Sequence, residues 1–395
     1  MSRPPSALPT SLTAPVFTRR EAVRAGVRPD RLLAEDITWI DRGLYSRIGP
    51  EVRERDIVAA YTRGEEGVMA CGITAARIWG LPLPWEHSAR GIAAAKEKAE
   101  RRAKAAGARN QAPERAASAE RSGHSPRPTR DAVPDDAEDA AVAEGAARAP
   151  GTRRRVRRAG AAAGEPGTAW APPPVHLLAG RSRRRSSARV VWHRRQPRDP
   201  GAGPSGVVLD EGTRVTSRLQ TWQDLAAVLS AEDLTIIGDH LVRIPRDIYE
   251  GRTGPHCTVE DLVRAAARCR GPGAKRLRQA VADVRVGSDS PAETRLRLAV
   301  RAAGLPEPVL NRTLNLPGAW LGTPDLAWPE WKVCVEHEGA HHREEKQFDS
   351  DITRTENRQE MGWLEVRTVA TDLRDSCARG VARIARALRE HGWHG

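Results

Sequence analysis

Residues 323–342 read TPDLAWPEWKVCVEHEGAHH. Three carboxylates, Asp325, Glu336 and Glu338, stand in sequence that otherwise resembles buried strand. A carboxylate is costly to bury unless a partner compensates its charge. A divalent cation is one such partner; ordinary exposure to solvent is the other way out. Strand side chains alternate, so Glu336 and Glu338 belong to one face. A short turn at Pro329-Glu330 would fold the strand after Asp325 back alongside, and this spacing permits Asp325 and Glu336 to converge. Glu293, in the first turn of an upstream helix, can reach the same place. Clustered carboxylate oxygens suit Mg²⁺ or Mn²⁺ rather than zinc. Such an ion activates water and neutralises charge on a phosphodiester.

Plainer readings stand beside this one. Asp325 follows a proline and can serve as a turn residue. Glu293 can satisfy a helix dipole. His341 and His342 can be surface residues; with Cys334 they match no standard zinc spacing. Asp351 and Arg354, three apart on a helix, can form a surface ion pair worth about 0.2–0.5 kcal/mol.

The elements that must position these acids are legible in order. SPAETRLRLAVRAAGL opens with Ser290 as cap and Pro291 at the first helical position. Apolar strands follow at about 324–328 and 332–338, then a polar helix over about 347–361. WLEVRTV is a buried strand and DLRDSCARGVARIARALREHG a closing amphipathic helix. The order is αββαβα over residues 285–395.

Upstream, residues 1–14 read as a disordered N-terminus. In 15–88, Thr18 and Glu21 form a capping box. Gly26 makes a turn, a second helix starts near Pro29, and ITWIDRGLYSR reads as a hairpin bending at Gly43. Two short helices and a β-wing outline a winged helix-turn-helix. RDIVAAYTRGEEGVMACGITAARIW then reads as two helices around Cys71-Gly72. Residues 89–172 are Ala, Arg, Pro and Gly-rich with few bulky aliphatics. Such a stretch cannot bury enough apolar surface to offset ordering entropy. It is expected to be a disordered insertion, with transient helix near GIAAAKEKAERRAKAAGA. Residues 173–284 are a middle section of two strands, PVHLLAG and ARVVWHRR, and several helices. Leu225, Val228, Leu229, Leu234, Ile237 and Leu241 are expected to face inward. The fold class is thus a multidomain α/β protein.

The chain has 395 residues with 64 Lys plus Arg against 51 Asp plus Glu, a formal charge of +13. That balance points to polyanionic partners, nucleic acid first. RRRVRR at 153–158 and RSRRR at 181–185 would add salt-sensitive phosphate affinity or simply be solvated linker. Five scattered cysteines without a CxxC pair argue against a disulfide framework and against a structural zinc site. No run reaches the length of a membrane span, and the N-terminus lacks the apolar core of a signal peptide. A cytoplasmic protein without membrane partners is expected.

SPAETRLRL, PDLAWPEWKVCVEHEG, His342, Asp351 with Arg354, and GWLEVRTV together resemble the Vsr-like (very-short-patch-repair-like) domains of the PD-(D/E)XK nuclease superfamily. FTRREAVRAG, RGLYSR and GITAARIWGLPLP resemble, more loosely, the winged-helix region of AbiEi-type antitoxin-like proteins, and TSRLQTWQDLA the segment that often joins the two. The resemblance implies a restriction-endonuclease-like C-terminal domain. In it Asp325 and Glu336 are the metal ligands for Mg²⁺ or Mn²⁺, and Glu293 is an accessory acid. The superfamily's lysine would stand two residues after Glu336, where this chain has Glu338. An acid there can hold a metal but supplies no ammonium; His342 or Lys346 would substitute, His342 first. Arg358 stands where relatives carry an apolar residue and is expected to face solvent or phosphate. The implied activity is a metal-dependent DNA endonuclease in repair or phage defence. The alternative is a non-catalytic DNA-binding regulator of antitoxin type with a degenerate nuclease domain. DNA is the implied partner; a homodimer and a toxin or repair partner are left open.

Overall fold

The computed structural model describes residues 6–49, 51–104, 172–180, 184–194, 206–209, 212–246, 250–317, 319–338 and 345–395, with the backbone alone over 345–352. Residues 92–172 form a unit of their own, of which 92–104, which is helical, and 172 are described. Residues 105–171, with RRRVRR and the end of the expected transient helix, lie outside the described residues. Among the described residues no helix is long and apolar enough to cross a membrane.

The N-terminal elements are β1 (Val16–Thr18), α1 (Arg19–Arg24), β2 (Ile37–Asp41) and β3 (Leu44–Arg47). The capping box forms: Thr18 Oγ1 accepts the Glu21 N–H at 3.2 Å, and Glu21 Oε2 accepts the Thr18 N–H at 2.7 Å. The expected second helix is only a 3₁₀ stretch, Pro29–Leu33. Arg31 within it makes a two-pronged bond to Asp36, both contacts at 2.7 Å. The hairpin bends at Gly43, whose φ of 73° suits a residue without Cβ. β1 pairs with β3, giving the order β1-β3-β2 over a small core of Leu12, Phe17, Ala22, Val27, Leu32 and Ile37.

After α2 (Glu54–Thr62), residues Val68–Ala70 form a strand, β4, before α3 (Gly72–Ile78). The two-helix reading missed it because all three residues are buried, and a short fully buried strand carries no alternation. β4 lies antiparallel to β5 (Val175–Ala179) and parallel to β8 (Arg214–Thr216). With β6 (Val190–Arg194) and β7 (Gly206–Val208) the order is β6-β5-β4-β8-β7. Strands from either side of the long segment thus share one sheet.

Helices α4 (Arg218–Leu225), α5 (Ala231–Val242), α6 (Val259–Arg268) and α7 (Ala274–Asp283) pack around Trp222, Leu234, Ile237, Leu241, Leu262 and Leu277. Gly238 lets α5 approach closely, since a Cβ there would meet Val284 Cγ2 at 2.6 Å. Val228, expected inward, is 57% exposed because α4 ends at Leu225 and Val228 lies in the turn beyond it.

The C-terminal section runs α8 (Pro291–Ala302), β9 (Val309–Leu310), a two-strand hairpin of β10 (Asn315–Leu316) and β11 (Ala319–Trp320), β12 (Leu326–Trp328), β13 (Val333–Glu338), α9 (Glu345–Glu360), β14 (Leu364–Val369) and α10 (Arg374–Glu390). The main sheet has the order β14-β13-β12-β9. β12 is antiparallel to both β13 and β9, whereas β13 and β14 are parallel. A parallel pair needs a crossover, and α9 supplies it. The order read from sequence is present, with β9 and the hairpin added between α8 and β12. Leu296, Val300, Leu326, Trp328, Val335, Val366, Ile384 and Leu388 form the core between this sheet and helices α8 and α10.

One polar tie joins α8 to α5. Fully buried Arg297 donates to Asp239 Oδ2 at 2.8 Å, and Thr294 Oγ1 donates to the same oxygen at 2.9 Å. Burial pushes the Asp239 carboxyl up, against the Arg297 charge that favours its ionised form. Removing one partner of such a pair typically costs about 3–5 kcal/mol, because the other is left buried and uncompensated. The tie fixes the start of α8, and with it Glu293.

Candidate functional site

Asp325 immediately precedes β12, whose Leu326 faces Val335 of β13. Continuing that register puts Asp325 opposite Glu336. The tight return is made by the 3₁₀ turn Pro329–Trp331 and by Lys332 in the left-handed region at φ 51°. Asp325 Oδ2 accepts the backbone N–H of His337 at 2.6 Å, which orients its carboxylate along the strand edge. The Asp325 carbonyl accepts the backbone N–H of Asn311 at 3.1 Å.

Glu293 comes from the first turn of α8, capped by Ser290, and is 5% exposed. Its Oε2 accepts the Asp289 N–H at 2.8 Å and Asn311 Nδ2 at 2.7 Å. Asn311 therefore touches the Glu293 carboxylate and the Asp325 main chain, holding a φ of 42° that asparagine tolerates better than most residues. Burial pushes the Asp325 carboxyl up to about 8, helped by the charge of Glu293 and then Glu336, against the His337 N–H. The Glu293 carboxyl is also raised, first by burial. Burial and the neighbouring carboxylates act in the same direction on both groups.

Glu336 has a different partner. Arg358 of α9 is fully buried, and its Nη2 donates to Glu336 Oε1 at 2.8 Å. Its Nη1 donates to Glu365 Oε2 at 2.7 Å and its Nε to the Leu321 carbonyl at 2.8 Å. Arg354 Nε lies 3.9 Å from Glu336 Oε1. Gly322, at φ 82°, leaves the room these arginines need: a Cβ there would stand 2.3 Å from Arg354 Cδ. The expectation that Arg358 faces solvent or phosphate is thus corrected. A guanidinium in the core of this section is stable because two carboxylates and a carbonyl satisfy it.

The structure brings together Asp325, Glu336 and Glu293. Glu338 lies two residues farther along β13 and forms an ion pair with Arg367 at 3.5 Å. His342, with His341, lies outside the described residues, and so do the side chains of Lys346 and Asp351. Sequence reasoning missed Asn311, His337 as a backbone donor, and Arg358 as a buried one. No periodicity marks a lone asparagine in a loop, and an arginine in a polar helix reads as surface.

Among the described residues, no group of three or more His, Cys, Asp or Glu is arranged to hold a metal ion. Mg²⁺ is commonly bound through one or two carboxylates, its remaining positions filled by water and substrate phosphate. Asp325 and Glu336 fit that mode. Each spends one oxygen on the protein, Oδ2 on His337 and Oε1 on Arg358. Asp325 Oδ1 and Glu336 Oε2 make no hydrogen bond among the described residues. Oriented carboxylates with one oxygen to spare are what a ligand pair requires.

No family model matches the chain, and no solved structure matches it. It is similar to two uncharacterized proteins of Mycobacterium tuberculosis, one from strain CDC 1551 / Oshkosh and one from strain H37Rv. With each it is 31% identical over 134 residues, which cover 33% of this chain and 49% of the relative. The chain thus spans about half the length of the curated relatives it matches.

Proposed function

We propose that the chain is a metal-dependent DNA endonuclease whose C-terminal section, of restriction-endonuclease-like fold, binds Mg²⁺ or Mn²⁺ between Asp325 and Glu336. The observation that carries this reading is the antiparallel register that sets these two carboxylates side by side. The ion would supply Lewis-acid stabilisation of the phosphodiester and a more acidic bound water. The residues do the rest. Asp325 and Glu336 would hold the ion, Glu293 adds negative potential from α8, and Arg358 holds Glu336 in place. Water attacks phosphorus, and the bond to the leaving oxygen breaks. His342 is the proposed proton-handling residue. Residues 17–47 would act as a winged helix on DNA, in keeping with the +13 charge of the chain.

Two observations favour a second reading, a DNA-binding regulator of antitoxin type without catalysis. Glu338 is paired with Arg367 at the position where the resembled superfamily has lysine. Arg358 also already balances part of the charge on Glu336. A cleavage assay on supercoiled, linear and mismatched DNA with Mg²⁺ or Mn²⁺ separates the two. The endonuclease reading expects cutting by the wild type and none by Asp325→Ala. Equal DNA binding by both without cutting would favour the regulator.

A further inference from the structure

A cation reaches the carboxylate site from outside the C-terminal section. Arg246 follows α5 in the middle section, and its side chain is 57% exposed. Its Nε and Nη2 lie 2.7 and 2.5 Å from Asp289 Oδ2. Its Nη2 also lies 3.4 Å from Asn311 Oδ1. Asn311 is the residue that binds the Glu293 carboxylate at 2.7 Å and the Asp325 carbonyl at 3.1 Å. One asparagine thus links the guanidinium to the Glu293 carboxylate and to the Asp325 main chain.

The position of Arg246 is built rather than incidental. Its backbone N–H donates to Glu250 Oε1 at 3.4 Å, and Arg243 Nη2 grips Glu250 Oε2 at 2.7 Å. Arg243 is 11% exposed and also lies 3.7 Å from Asp289. The two acids therefore brace the backbone and the head of Arg246. Its Nη1 makes no hydrogen bond among the described residues.

We propose that Arg246 contacts a phosphate of the nucleic-acid backbone at the Asp325–Glu336 site, in the part for which β13, with Glu338, has no ammonium. The placing of that contact rests on the endonuclease reading. A guanidinium offers paired donors to non-bridging phosphate oxygens, and one half-exposed beside acids can turn a free donor outward without leaving Asp289. The middle section would then complete the site.

The test compares wild type, Arg246→Ala, Arg246→Lys and Arg264→Ala. Arg264 is a control of the same 57% exposure on α6, paired with Asp261. Affinity for a duplex oligonucleotide is measured over a salt series without divalent ions, and cleavage at saturating DNA with Mn²⁺. Thermal melts check that each variant is folded. Loss of a phosphate contact should weaken binding several-fold and reduce the salt slope by about one. Arg246→Lys should keep the slope, since it keeps the charge, and Arg264→Ala should match wild type. That pattern supports the contact whether or not the wild type cuts, so failure of the endonuclease reading shows separately as absent cleavage. An unchanged slope in Arg246→Ala, or an equal fall in Arg264→Ala, would overturn the proposal even if the wild type is an active nuclease.

Discussion

Arg358 lies between Glu336 and Glu365, 2.8 Å from one carboxylate and 2.7 Å from the other, with its own side chain 1% exposed. It is a structural counter-ion to a proposed metal ligand. It keeps one oxygen of Glu336 occupied and the carboxylate fixed on β13.

Arg358→Met should therefore be strongly destabilising. Glu336 and Glu365 are only 20% and 10% exposed and would be left without their shared cation. The expected loss is about 3–5 kcal/mol in denaturant unfolding. Arg358→Lys should fall between, since an ammonium keeps the charge but not the fork that reaches two carboxylates and a carbonyl. A loss below about 1 kcal/mol in Arg358→Met would show that the guanidinium is dispensable there.

Asp325 predicts a pH effect of definite sign. Its folded pKa of about 8 lies far above the ordinary aspartate value. The folded state thus holds this proton more tightly than the unfolded state. The resulting stability is fully present below about pH 4 and is lost as pH rises toward 8. Asp325→Asn keeps a neutral side chain, so without metal it should be more stable than wild type at pH 8 and gain little at pH 4. Mg²⁺ or Mn²⁺, which favours the ionised form, should raise the wild-type melting temperature more at pH 8 than at pH 6, and leave Asp325→Asn unmoved. Parallel pH profiles for the two proteins would contradict this account of Asp325.

Glu338 should matter little to the site. It is 35% exposed and its partner Arg367 44% exposed. Glu338→Gln should change stability by no more than about 0.5 kcal/mol and leave divalent-ion affinity as it was. A tenfold weaker Mn²⁺ affinity in this variant would mean that Glu338 is itself a ligand.

Much of the C-terminal section is legible because its signals are local. Ser290 and Pro291 mark the start of α8, and the turn at Pro329 returns β13 along β12, which brings Asp325 to Glu336. The parts that are not legible depend on long-range packing. β4 is three buried residues with no alternation to read, and its partners come from beyond the long segment. Arg358 looks like a surface residue until Glu336 and Glu365 arrive from two parallel strands. The expected second helix is only the 3₁₀ stretch Pro29–Leu33, and nothing in the pattern around Pro29 announces it. Asn311 becomes meaningful only when α8 and β12 meet around it.

The central claim is that Asp325 and Glu336 hold one divalent ion, and Mn²⁺ binding followed by electron paramagnetic resonance tests it most directly. The account predicts one bound Mn²⁺ per chain near pH 8, weaker binding as pH falls, and no binding in Asp325→Ala or Glu336→Gln when both variants melt as folded proteins. Equal Mn²⁺ binding by wild type and both folded variants, or none by the wild type, would contradict it.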